Sequence, residues 1–293
     1  MAAGDTITQS LADSLDTVVA SARQVREQEG VMPNLVDKVT LDEGTGTSWR
    51  EISMAQLTAQ AITETTRLDN PQQMSDTAFA ITPTVVGIQT LITDRVAARV
   101  NKKSYAQLGS LAQNSIQRKK DEDGLAVIDG ATTQLNTANA ALASGFIAAA
   151  VYQISSNATE PGNPPYRAVF HGFSLKDIWD ELTAAVDTTN RADISGITAR
   201  VFTEGLRGKI AGCEIYEDGN LTIDSAGDAK GGVFAQEAIV LVQGRSPRTA
   251  TVRREDIGGG ATVVYLYDEY AYGERSAGNW LFEVIADATA PTS

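Results

Sequence analysis

Between residues 36 and 76 the chain runs through polar, threonine-rich text with few large apolar residues beyond Trp49, Ile52, Leu57 and Leu68. Such a stretch cannot build its own core, and a structureless loop of that length is unusual inside a compact domain. It is therefore expected to form an extended arm or long hairpin that packs on another subunit, with Gly44-Thr45-Gly46-Thr47 as a turn. The rest of the 293 residues can supply a substantial core, since 42% of the chain is hydrophobic. No apolar run approaches the roughly 18 residues of a membrane span, and the first residues lack the pattern of a secretion signal. The chain is expected to be made and kept in the cytosol.

The text on either side of the arm changes period. Ile7, Leu11, Leu15, Val18, Ala22 and Val25 form one stripe, predicting an amphipathic helix over 5 to 28 that Gly30 and Pro33 end. Phe79, Ile81, Val85, Ile88 and Leu91 read as strand, with Pro83 and Gly87 at an edge or bend. From Asp94 the spacing of Val96, Val100, Tyr105, Leu108, Ala112 and Ile116 predicts a long helix that tolerates Gly109 in its interior. Further helices are predicted over 138 to 155 and after Ser174, which is read as a cap completed by Asp177 ahead of Leu175, Ile178, Trp179, Leu182 and Val186. A short strand, 167 to 170, lies between them. Strand runs follow at 197 to 203, 210 to 216, 233 to 242, 248 to 254, 261 to 269 and 280 to 286. Helices early and strands late predict an α+β fold and disfavour a doubly wound nucleotide-binding sheet.

Charge is unevenly spread. Residues 1 to 94 hold 5 basic and 13 acidic side chains, and residues 121 to 293 hold 12 and 24, within a net charge of −13. Between them Arg95, Arg99, Lys102, Lys103, Arg118, Lys119 and Lys120 stand without a single acid. The overall balance argues against a protein that grips nucleic acid as its main task. The basic stretch is either a solvated helix face or a surface aimed at a polyanion or an acidic neighbouring subunit.

Reactive chemistry has little to stand on. One cysteine, Cys213, and one histidine, His171, exclude an internal disulfide and the usual zinc sites. A thiolate and base pair made of these two is disfavoured, because a lone cysteine in strand text is usually a small core residue. Gly258-Gly259-Gly260 lacks the lysine and the strand-to-helix setting of a phosphate loop and reads as a hairpin turn, as does Gly44-Thr45-Gly46. The adjacent acids Asp121, Glu122 and Asp123, and the pair Asp268 and Glu269, read as solvated turn features, and Tyr265, Tyr267, Tyr270 and Tyr272 as packing on a sheet face. No catalytic residue, metal ligand or cofactor site is expected, and no enzyme activity.

Five passages nonetheless look familiar: Ile92-Thr93-Asp94 entering the long helix, Glu122-Asp123 through Asp129-Gly130 closing it, Leu206 through Gly212, Gly231-Gly232-Val233-Phe234 through Ala238-Ile239, and Tyr267 through Gly273. With the order of parts, they make the chain resemble the major capsid protein of tailed double-stranded DNA bacteriophages, the Hong Kong type shell fold. The resemblance implies an N-arm at 1–35, an E-loop at 36–76, a P-domain beginning at 77–186 with its spine helix at 94–129, an A-domain at 187–231 and a return to the P-domain at 232–293. It implies self-assembly through hexamers and pentamers into an icosahedral shell around the genome, made in the host bacterial cytoplasm and ending in the virion. Portal and scaffolding proteins, and in some cases a decoration protein, would be partners, with packaged DNA nearby and no membrane. On this reading the seven cations are inter-subunit or inner-surface contacts, and Arg118, Lys119 and Lys120 pair mainly with acids of a neighbouring arm. Only about 30 residues precede the arm, which favours a separate scaffolding protein over a built-in one. A nanocompartment shell enclosing a cargo enzyme would share these features, and an acidic β-rich module of a phage tail is a further alternative. Some relatives weld their subunits through an arm lysine; here no lysine lies between Lys38 and Lys102, so the shell is expected to be non-covalent.

Overall fold

The computed structural model describes residues 28, 30–44, 46–59, 61–65, 71–99, 103–184, 208–257, 259–276 and 278–292. The helix expected over 5 to 28, save its last residue, and the strand expected at 197 to 203 lie outside them. One turn of helix, α1 (Met32–Leu35), with Pro33 in its first turn, leads into β1 (Asp37–Thr40). A hairpin of β2 (Trp49–Met54) and β3 (Asp76–Ile81) is followed by β4 (Thr84–Thr93). The long helical region appears as α2 (Asp94–Arg99) and α3 (Lys103–Asp129), with 100–102 outside the description. Then come β5 (Gln134–Leu135), α4 (Ser144–Ser155), β6 (Tyr166–Phe170) and α5 (Gly172–Ala184). The chain closes with β7 (Lys209–Ile210), β8 (Cys213–Glu217), β9 (Asp228–Ala235), β10 (Ile239–Arg254), β11 (Ala261–Glu274) and β12 (Leu281–Asp287).

The fold is α+β. One sheet has the order β1-β10-β11-β4 and a second the order β5-β12-β9-β6-β8-β7, while β2 and β3 pair only with each other. Helix α3 packs against strands of both larger sheets. Its buried stripe, Ala112, Ile116, Lys120, Asp121, Leu125 and Ile128, repeats at helical spacing and includes two charged residues. Close approach depends on Gly232, where a Cβ would stand 2.4 Å from the Ile128 Cγ2.

Three expectations need correction. Helix α4 begins at Ser144 and not near 138, because Asn136 and Asn139 hold left-handed backbone (φ 66° and 59°) and the Asn139 amide donates to Asp228. Ser174 does not cap α5. It is buried inside the first turn, and the capping role falls to His171, whose Nδ1 accepts from the Phe173 amide at 3.2 Å. Asp177 reaches away from its own helix to accept from the Leu142 amide, beside Glu181 accepting from Ser144 at the start of α4. The run expected at 233 to 242 is divided by a turn at Gln236–Ala238, and its second part joins the run at 248 to 254 as one strand, β10, bent by irregular pairing between Gln243 and Arg248.

Lys120 sits beneath that bend. Its Nζ donates to Gln243 Oε1 at 2.6 Å and to Asp268 at 3.2 Å, and it lies 4.8 Å from the centre of the Tyr270 ring. Gln243 Nε2 in turn donates to Asp268 and to the Glu269 carbonyl. Asp268 is therefore no solvated turn acid; it is a buried carboxylate whose only cation contact among the described residues is Lys120. Replacing Lys120 with Met should lower stability by about 3 kcal/mol, because a buried charge loses its partner. A chemical-denaturation midpoint unchanged from wild type would contradict this, and adding Asp268→Asn should restore part of the loss.

Candidate interaction surfaces

The hairpin β2–β3 carries the clearest unsatisfied surface. Its strands pair from Trp49 opposite Ile81 to Met54 opposite Asp76, and the limbs stay together beyond the strands through hydrogen bonds between Thr58 and the Gln72 side chain. Ile52, Met54, Leu57, Ile62 and Met74 are 59% to 69% exposed. Two strands without a third have no face on which to bury such side chains, and this many large apolar groups on one projection mark a contact site. The expected arm is thus present as a long hairpin.

Its root is fastened firmly. Trp49 and Phe79 meet edge to face at 6.2 Å, and with Ile81 they pack on Val240 and Val242 of β10. Gly273 leaves room for Ile81, whose Cδ1 would lie 2.7 Å from an added Cβ. Arg275 ties three segments together: it donates to Glu51 at 2.6 Å, to Asp37 at 3.0 Å and to the Glu237 carbonyl at 2.9 Å, while its guanidinium lies 5.8 Å from the Trp49 ring centre. This planar, permanently charged fork suits simultaneous pairing and stacking. Sequence reading missed the arrangement, because its members lie 224 and 238 positions apart.

The seven cations are not one patch. Arg95 is exposed on α2, and the side chains of Arg99, Lys102 and Lys103 lie outside the description. Arg118 meets Glu122 and Lys119 meets Asp123 along the surface of α3, at 3.4 and 2.5 Å, whereas Lys120 is buried as described. Within one chain each of these three has an acidic neighbour.

A second exposed region follows the distal halves of β10 and β11. Tyr265 and Tyr267 stack at 5.9 Å with Arg248 over Tyr267, while Tyr270 and Tyr272 pack on the opposite face towards α3. Gly259 and Gly260 (φ 84° and 106°) make the tip turn, and Gly44 and Gly46 make a turn between β1 and β2 that is not a hairpin of those two strands.

Cys213 and His171 do not meet. Strands β6 and β8 run in register from Tyr166 beside Cys213 to Phe170 beside Glu217, so His171 lies past the far end, roughly 15 Å away at strand rise. Burial pushes the Cys213 thiol up to about 12, which keeps it protonated and unreactive at neutral pH. Among the described residues no group of three or more His, Cys, Asp or Glu side chains is placed to hold a metal ion.

No protein-family model matches the chain, and no curated protein matches it. Solved structures do. A structure from Mycobacterium phage Che8 aligns with a TM-score of 0.73 at 16% identity, covering 92% of this chain and 96% of that one. The head structure of Helicobacter pylori bacteriophage KHP40 aligns at 0.73 and 11% identity over 97% and 98% of the two chains. The capsid of cyanophage Pam1 aligns at 0.70 and 10% identity over 99% and 100%. The chain has the fold of these structures over nearly its whole length.

Arg275→Ala should loosen the hairpin root without unfolding the body. Acrylamide quenching of Trp49, read in a variant with Trp179 and Trp280 replaced by Phe, should rise, and cleavage within 50 to 80 should precede global unfolding. Equal quenching and cleavage in both proteins would show that the arginine does not hold the hairpin.

Proposed function

We propose that this chain is a major coat protein of a tailed double-stranded DNA bacteriophage, many copies of which tile a closed icosahedral shell through hexamers and pentamers. The observation that carries the reading is a hairpin with five large exposed apolar side chains on a body that aligns end to end with phage head and capsid chains. In such a shell the hairpin, within an E-loop of 36–76, lies over a neighbour, and each large side chain withdrawn from water contributes about 1.5 to 3 kcal/mol before the costs of association. A P-domain of 77–186 and 232–293 forms the tile, an N-arm of 1–35 reaches an adjacent subunit, and an A-domain of 187–231 surrounds the local symmetry axis. Repetition of one head-to-tail contact around a rotation that closes is what turns one weak hairpin contact into a stable ring.

The net charge of −13 keeps such a shell from adsorbing the packaged DNA irreversibly, while the exposed Arg95, Arg118 and Lys119 offer local contacts to acidic arms or to DNA. Portal and scaffolding proteins are its partners during assembly in the host cytoplasm, and a decoration protein is compatible with the exposed surface. The shell is held without covalent welds.

Negative-stain microscopy with sedimentation across a concentration series tests the proposal: rings of five and six or closed particles are expected, and a monodisperse monomer throughout would overturn it. Nucleic acid inside particles formed in infected cells fits a virus, and a cargo enzyme in its place would point to a nanocompartment. Met54→Ser with Leu57→Ser should abolish particles while leaving the circular dichroism and melting of the subunit unchanged. In a denaturing gel the particles should run entirely as monomer, and a ladder of cross-linked multimers would refute a non-covalent shell.

A further inference from the structure

Two buried aspartates from distant parts of the chain face each other where the N-terminal segment joins the body. Asp121, on the core side of α3, and Asp218, just after β8, are both fully buried and converge on Asn220 and on the adjacent amides of Val31 and Met32. Asp121 also accepts from the Met32 amide at 2.9 Å and from Asn220 Nδ2 at 2.9 Å. Asp218 accepts from the Val31 amide at 3.3 Å and from the Asn220 amide at 2.9 Å. Carboxyl groups buried against the same donors disfavour a second ionisation, which raises the pH at which the last proton leaves. Gly30 completes the fit, since a Cβ there would stand 2.3 Å from the Asp121 Cγ, and Gln28 packs on Gly219 beside it.

Among the described residues nothing is placed to neutralise a second negative charge, and Arg23 and Arg26 lie outside them. From β11 comes the buried Tyr272 hydroxyl, which has no hydrogen-bond partner among the described residues, with Tyr270 and Asp268 beyond it. On α3, Asp123 is committed to Lys119 and the Tyr270 hydroxyl, and Lys120 is committed to Asp268 and Gln243. Glu217, next to Asp218, lies against Gly172 near His171. Residues 30 to 36 of the joining segment contain no titratable side chain, and Glu29 lies outside the described residues. Among the described residues no cation is hydrogen-bonded to either aspartate.

We propose that Asp218 holds a proton beside Asp121 and that the two side chains act as a pH-operated latch that fastens the chain at Gly30 to Met32 onto the body. Below the switching range the Asp218 proton keeps an added charge out of the buried site, and the two side chains hold the Val31 and Met32 amides. Loss of that proton puts a further buried negative charge there, and the cheapest relief is for the joining segment to lift and admit water. The proton leaves to solvent, and no covalent bond changes. Burial first, and then the facing Asp121, push the Asp218 carboxyl up to about 7 from the ordinary 3.8. The sign follows from that direction. The closed form binds the proton more tightly than the open form, so latching is complete below pH 4 or so and is lost as pH rises through about 7. The latch is a property of the free chain and stands apart from the coat-protein proposal.

The test is hydrogen exchange at the Val31 and Met32 amides of the full chain from pH 5 to 8, corrected for intrinsic rates. The opening constant should rise about tenfold per pH unit up to the switching point and then level off. Asp218→Asn, which supplies a permanent donor, should flatten the profile. Gly30→Ala should open the latch at every pH. A flat wild-type profile, or the same slope in Asp218→Asn, would overturn the proposal. Should that variant fail to fold, Asp121→Asn gives the same comparison. Carboxyl carbon resonances of the wild type give an independent reading, and the absence of any aspartate titrating between pH 6 and 8 would sink the idea.

Discussion

Helix α3 has to satisfy two adjacent charges on the side it buries, and much of the architecture is organised around that demand. Lys120 and Asp121 point into the interior from one helical turn, and neither is solvated. Lys120 is met by the bend in β10 and by Asp268 of β11, and Asp121 by the chain entering α1 and by Asn220. Helix, sheet and joining segment are thus registered by buried polar contacts whose partners cannot be removed singly without leaving a desolvated charge. The apolar members of the same stripe, Ile116, Leu125 and Ile128, contribute burial but much less selectivity of position.

The hairpin follows the opposite logic. Its root is specified by Trp49, Phe79 and Arg275, yet its outer length exposes Ile52, Met54, Leu57, Ile62 and Met74. Within one chain this costs stability, because apolar area stays in water. The cost is recovered only when another surface covers the projection, which is why a rigid root matters: a hairpin held in one direction loses less orientational freedom on docking.

Much of this was legible in the sequence. The hairpin could be recognised in part from what 36 to 76 lacks, although Asp37–Thr40 join the four-stranded sheet and the hairpin's second strand runs on to Ile81. The α+β class followed from periodicity, because stripes at three and four residues and alternation at two are imposed by backbone geometry. The cationic stretch misled in one respect: Lys119 and Lys120 are neighbours in text, but successive residues on a helix point about 100° apart. One is in water and the other in the core. Ser174 misled for a related reason, since a capping sequence states a preference and the chain entering from Phe170 placed His171 at the cap.

What the sequence alone determined are the local and compositional properties: helix or strand periodicity, a polar stretch after residue 36, and a single cysteine and a single histidine. What only the tertiary structure decided are the pairings between distant residues: Arg275 with Glu51 and Asp37, Lys120 with Asp268, and Asp121 and Asp218 with Asn220. The physical reason is that periodicity is set by neighbours along the backbone, whereas the burial of a charge depends on which segments arrive from elsewhere to meet it.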